Sequence, residues 1–116
     1  MAASHCLFCR IANGEIPARL VYSDDDVVAF HDLHPQAPVH VLVIPRRHVA
    51  HLLAASADDQ AILGTLLLRA ATVARQLGLE AEGFRVVLNT LEGAGQSVFH
   101  LHAHVLGGRP MHWPPG

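Results

Sequence analysis

The sequence predicts an α+β fold: an antiparallel sheet, one long helix across a face, and a short N-terminal helix. Three observations carry that expectation. Extended apolar runs bounded by turn residues recur between Arg19 and His48 and again from Phe84 onward. A single stretch, Ser56–Leu77, repeats its apolar residues at three- and four-residue spacing. Of the 116 residues, 51% are apolar, enough for a core without disulfide staples.

Taken in order, "CLFCRIANGEIPARL" reads as a short helical turn stopped by Asn13-Gly14, then an extended exit through Pro17. "RLVYSDDDVVAFHDL" reads as two strands around the polar turn Ser23–Asp26. "PVHVLVIPRRH" is apolar on both faces, as a central strand must be, and Pro45 ends it. Ser56 with Asp59 forms a capping box for the helix, whose apolar stripe is Ile62, Leu66, Ala70, Val73 and Leu77. Gly78 supplies its stop. "FRVVLN" is a further strand, "LEGAGQ" a glycine loop, and the last strand covers about residues 97–106. The tail, 107–116, is broken by prolines. There is no internal repeat or linker, so residues 1–116 read as one domain.

The net charge is −2, and no basic run exceeds Arg46-Arg47, which argues against a nucleic-acid track or an anionic membrane. No 18-residue apolar span occurs, and "MAASHC" lacks the parts of a signal peptide, so a cytoplasmic location is expected. In that compartment Cys6 and Cys9 stay reduced. Histidine is the outlier, at ten residues.

His100, His102 and His104 stand at every second position of "SVFHLHAHVLGG". On a strand they share one face, about 6.5–7 Å apart, while Phe99, Leu101, Ala103 and Val105 turn into the core. Three readings fit: a solvated face rich in histidine, a three-histidine zinc site, or a division of labour in which one or two imidazoles act on a substrate. The spacing is too wide for all three to converge easily on one ion.

The run "AFHDLHPQAPVHVLVIPRRH", with Cys6-x-x-Cys9, "FRVVLN", "GQSVFHLHAHVLGG" and "MHWPPG", resembles the histidine-triad (HIT) superfamily over essentially the whole chain. Within it, the sequence looks like the Hint branch of histidine-triad nucleotide-binding proteins. The resemblance implies a HIT-like homodimer that binds purine nucleotides, AMP or GMP, and hydrolyses nucleoside phosphoramidates through a covalent nucleotidyl-histidine. The nucleophile would be His102, its second nitrogen held by the backbone carbonyl of His100. A neutral imidazole suits the task, since its ordinary pKa of about 6.5 leaves it unprotonated at pH 7. Asn89, Gly95, Gln96, Ser97 and His104 would meet the phosphate. Ser97 lies on the histidine face only if the chain bends at 96–98. No P-loop motif is present, and the reaction needs no metal cofactor.

For the nucleoside, the resemblance assigns Leu7, Phe8, Ile16, Phe30, His31, Asp32 and Leu33. Asp32 would accept the ribose diol and the apolar residues would wall the base. The plainer readings are core packing for Leu7, Phe8 and Ile16, and a turn cap for Asp32. Cys6-x-x-Cys9 needs two more ligands for a tetrahedral zinc. The resemblance supplies His48 and His100, giving a structural zinc; a reduced thiol pair is the alternative. Trp113 would sit in a tail reaching the site region and the partner subunit. His40 reads as a core histidine, although the resemblance places it near the triad, and His5, His34 and His51 read as solvated loop residues. Thr90-Leu91 departs from the polar, glycine-bearing turn common in the family. The alternative functions are a nucleotide- or zinc-binding interaction module with incidental turnover, and a dinucleoside polyphosphate hydrolase.

Overall fold

A computed structural model describes residues 5–116. Its elements run α1 (Leu7–Ala12), β1 (Leu20–Ser23), β2 (Val27–His31), β3 (Val39–Pro45), α2 (Gln60–Gln76), β4 (Phe84–Val87) and β5 (Ala103–Gly107). All five strands form one antiparallel sheet in the order β1-β2-β3-β5-β4, the α+β architecture expected. β3 is central, and its alternation divides the interior. Val41 and Val43 join Val27, Ala29, Ala103 and Val105 under α2, which contributes Leu66, Ala70, Val73 and Ala74. Leu42 and Ile44 point the other way, with Val28 and Phe30, into a second cluster closed by Cys6, Phe8, Cys9 and Ala12 of the α1 segment. α1 is short because Asn13 caps it and Gly14 turns at φ +77°.

The Ser56–Asp59 capping box forms, but on a 3-10 turn at Ala57–Asp59, so α2 begins at Gln60 rather than near Ser56. Asp24 accepts from the amides of Asp26 and Val27 and pairs with Arg69 of α2 at 2.6 Å, pinning the β1–β2 turn to the helix. No helix among the described residues is long and apolar enough to cross a membrane.

The last strand departs from expectation. It starts at Ala103, not near Ser97. The final ladder partners are Val43 and Ala103; even-numbered residues of this stretch bond toward β2, so the next residue due to donate to β5 is Pro45, which has no N–H to offer. Residues 97–102 instead pass beside the chain after β3, where the Leu101 amide donates to the Val49 carbonyl. Side-chain alternation persists without the ladder: Leu101, Ala103 and Val105 are in the α2 core. Phe99 is not. It is 37% exposed, edge-on to His51 at 6.0 Å. His51 is half-buried by that contact rather than solvated.

Candidate active site

On the α1 side of the sheet a pocket of about 290 Å³ opens between α1, the loop that follows it, the end of β2 and the segment leading into β5. Phe8 comes from α1, Phe30 from β2 and Leu42 from β3. The Phe8 ring stands edge-on to Phe30 at 5.4 Å and to His102 at 5.2 Å. At the other end stand Ser97, Val98, His102 and His104. The chain bends at 98–100 rather than at 96–98, and Ser97 stands on the wall.

Backbone groups decide the state of each histidine, because a carbonyl can only accept and an amide can only donate. The Nδ1 of His102 lies 2.7 Å from the carbonyl oxygen of His100, so Nδ1 carries the hydrogen and Nε2 keeps a bare lone pair. The amide of Gln36 donates to Nδ1 of His40 at 3.0 Å, so the His40 hydrogen is on Nε2. That Nε2 is 2.9 Å from Nδ1 of His104 and 3.4 Å from a carboxylate oxygen of Asp32. His104 therefore accepts at Nδ1 and has its own N–H at Nε2. One imidazole in the pocket thus offers a lone pair and its neighbour, 5.0 Å away between ring centres, offers a donor. The rings tilt together, closer than an ideal strand would set them.

These rings are held neutral. Burial lowers the pKa of His102, against the opposing pull of the His100 carbonyl and Asp32. Burial, with the neighbouring His102 and His40, brings His104 down to about 4. Burial also lowers His40, which Asp32 partly offsets.

A second cluster joins Cys6 and Cys9 at the start of α1 to His48 after β3 and to His100. Nδ1 of His100 has Cys6 Sγ at 3.3 Å, Cys9 Sγ at 3.4 Å and His48 Nδ1 at 3.2 Å. One ring nitrogen cannot share hydrogen bonds with all three. Metal–sulfur bonds of about 2.3 Å and metal–nitrogen bonds of about 2.0–2.1 Å put tetrahedral ligand atoms roughly 3.3–3.8 Å apart, close to this spacing. Nε2 of His100 donates to the Pro45 carbonyl at 2.7 Å, which leaves Nδ1 free of hydrogen, as a ligand must be. Burial and the adjoining Cys6 push the Cys9 thiol up to about 11. The four residues fit a divalent soft cation. Asp32, His40 and His104 are equally close together, but do not fit. With the Gln36 amide donating to Nδ1, the Nε2 of neutral His40 carries a hydrogen and has no lone pair for a metal.

Of the residues expected at the nucleoside, Leu7, Phe8, Ile16, Phe30, His31, Asp32 and Leu33 all border the pocket. Asp32 lies just past β2, kept on the pocket side by its amide bond to the His40 carbonyl. Of the phosphate set, Ser97 and His104 border it; Asn89, Gly95 and Gln96 do not. Asn89 and Gly95 adjoin, with the Asn89 amide nitrogen 3.9 Å from where a Cβ on Gly95 would stand. Gln96 is 3% exposed, and its side chain is spent on the Leu91 amide and the carbonyls of Ala50 and Val98. It shapes the loop. Trp113 is 83% exposed and outside the pocket of its own chain. Sequence reasoning missed Arg19 and His34 on the wall; the resemblance places His40 near the triad, as found, but not its bond to His104. Strand parity could have flagged His40, which shares a β3 face with Leu42, the cross-strand partner of His104.

The HIT domain family profile matches residues 13–111. An uncharacterized HIT-like protein of Synechococcus elongatus is 54% identical over 110 residues, covering 95% of this chain and 96% of that one. The crystal structure of a HIT family hydrolase from Legionella pneumophila superposes with a TM-score of 0.94 at 49% identity, covering 97% of this chain and all of that one. A zinc-bound histidine triad family protein from Mycobacterium smegmatis superposes with a TM-score of 0.77 at 34% identity, over 93% of this chain and 78% of that one. The profile match and these likenesses, over nearly the full length of the chain, establish that it belongs to the histidine-triad (HIT) domain family.

Proposed function

We propose that this protein hydrolyses purine nucleoside phosphoramidates, such as AMP joined to an amine, through a nucleotide held covalently on His102. The carrying observation is the 2.7 Å bond from His102 Nδ1–H to the His100 carbonyl, which leaves Nε2 as a neutral nucleophile on the pocket wall. Nε2 attacks the α-phosphorus, the P–N bond breaks, and the amine leaves with a proton from solvent. Water then attacks the same phosphorus, returns His102 to its neutral form, releases a proton and frees the nucleoside monophosphate. The Nε2–H of His104 meets the charge that develops on a phosphoryl oxygen, with Ser97 beside it and Asn89 and the Gly95 amide in the adjoining loop. Asp32 accepts the ribose diol, and Phe8, Ile16 and Phe30 pack the base. Trapping the adduct tests the reading: a quenched reaction should yield a peptide carrying one nucleotide on His102.

Cys6, Cys9, His48 and His100 would hold a structural zinc, in keeping with their spacing and with the zinc-bound relative. Such an ion is a rigid cross-link. It would tie α1, and with it the Phe8 wall, to the segment that carries His102. The reading includes a homodimer. It is supported by the exposed Trp113, by β4 as an open sheet edge, and by Leu67 and Leu68 exposed on α2.

A further inference from the structure

All side-chain cations other than histidine are arginines, eight in number. Among the described residues seven have an intramolecular partner. Arg10 pairs with Glu15, Arg47 with Asp59, Arg69 with Asp24 and Arg75 with Glu80. Arg46, Arg85 and Arg109 donate to carbonyls. Arg19 alone has neither an ion pair nor a side-chain hydrogen bond, and it borders the pocket.

Its place on the wall says what it faces. Arg19 immediately precedes β1, and its carbonyl accepts from the His31 amide at 3.0 Å. β1 lies three strand positions from β5, which carries His104. At about 4.8 Å per strand that is roughly 14 Å. Arg19 is therefore far from the phosphate end, and Asp32 lies between, beside His40 and His104. Ile16, Pro17 and Ala18 adjoin it on the wall, so this is the end that takes the base.

We propose that Arg19 sets the purine preference, favouring 6-oxopurines over adenine. This rests on the nucleotide-hydrolase reading above. Guanine and hypoxanthine present two adjacent acceptors, O6 and N7, which a guanidinium fork meets with two parallel hydrogen bonds. Adenine presents N7 beside an amine, so one donor of the fork is opposed by another donor. The wall offers that amine little in return, since among the described residues Asp32 is its only carboxylate and its Oδ1 already accepts the His34 amide.

The test is calorimetric titration of the intact protein with GMP, IMP and AMP, in the wild type and in Arg19→Met, together with kcat and KM for guanosine and adenosine phosphoramidates of one amine. The wild type should bind GMP and IMP about tenfold more tightly than AMP, the discrimination of one good bidentate contact. Arg19→Met should lose most of that ratio, through KM more than kcat. Arg19 is exposed, so its replacement removes no core packing, and a matching melting curve checks that the variant is folded. A ratio unchanged in the variant, or a wild type that prefers AMP, overturns the role of Arg19 and leaves the hydrolase reading standing. Failure of the wild type to bind any of the three nucleotides overturns both.

Discussion

His40 Nε2 and His104 Nδ1 stand 2.9 Å apart, and the backbone amide of Gln36 on the far side of His40 sets the direction of the bond between them. The donor that His104 turns to the pocket is thus fixed by a main-chain group two residues removed from any substrate. His40→Phe keeps a flat ring, somewhat larger, and removes the bond. The expected result is a fall in kcat of about 10- to 100-fold with KM changed much less, because His104 then has no fixed tautomer to present. An equal loss in nucleotide affinity would mean that His40 only packs.

The Cys6/Cys9/His48/His100 cluster predicts about one zinc per chain by elemental analysis of protein purified without added metal. A Cys6→Ser, Cys9→Ser double variant should lose the metal and roughly 3 kcal/mol or more of stability, read as a lower melting temperature. Because the Cys9 thiol must give up its proton to bind, zinc uptake should release protons and weaken below neutral pH. Full stability of metal-free protein would contradict this.

Acid should unfold the protein through its buried imidazoles. His104 falls from an ordinary value near 6.5 to about 4, and His40 is lowered in the same direction, both chiefly by burial. Between those values the unfolded chain binds more protons than the folded one. Their contribution is therefore complete above pH 6.5 and is lost as pH falls toward 4. Urea midpoints at pH 7.5, 5.5 and 4.5 should decline in that order, with a shallower decline in His104→Ala.

Leu91 has φ +72° and ψ 168°, a region natural to glycine and strained for a branched side chain. The Gln96 side chain holds it there by accepting the Leu91 amide at 2.8 Å. Leu91 is 40% exposed, so little packing is lost on its removal. Leu91→Gly should stabilise the protein by about 1 kcal/mol, seen as a rise in melting temperature.

Much of this arrangement is legible in the sequence where one rule governs one segment. The alternation in "VHVLVIP" separates the two cores, and the spacing in α2 marks its buried face. The resemblance through "HLHAH" and "CLFC" brings forward residues that do meet in space. What escapes is set by interactions across the fold. A period-two pattern cannot tell a laddered strand from an extended segment, and Pro45, on another strand, decides where β5 begins. Gln96 looks like a phosphate ligand, yet three backbone groups claim its amide. The tautomer of His40 depends on a loop amide, and the freedom of Arg19 among the described residues appears only when every other arginine has found a partner.

The account turns on His102 as an uncharged nucleophile. The most direct measurement is mass spectrometry of an acid-sparing quench, taken during turnover of an adenosine phosphoramidate, with the same experiment on His102→Ala. The account predicts a chain heavier by one adenylate, the label mapping to the peptide that contains His102, and neither adduct nor turnover in the variant. Turnover with the label on another residue, or persisting in His102→Ala, would contradict it.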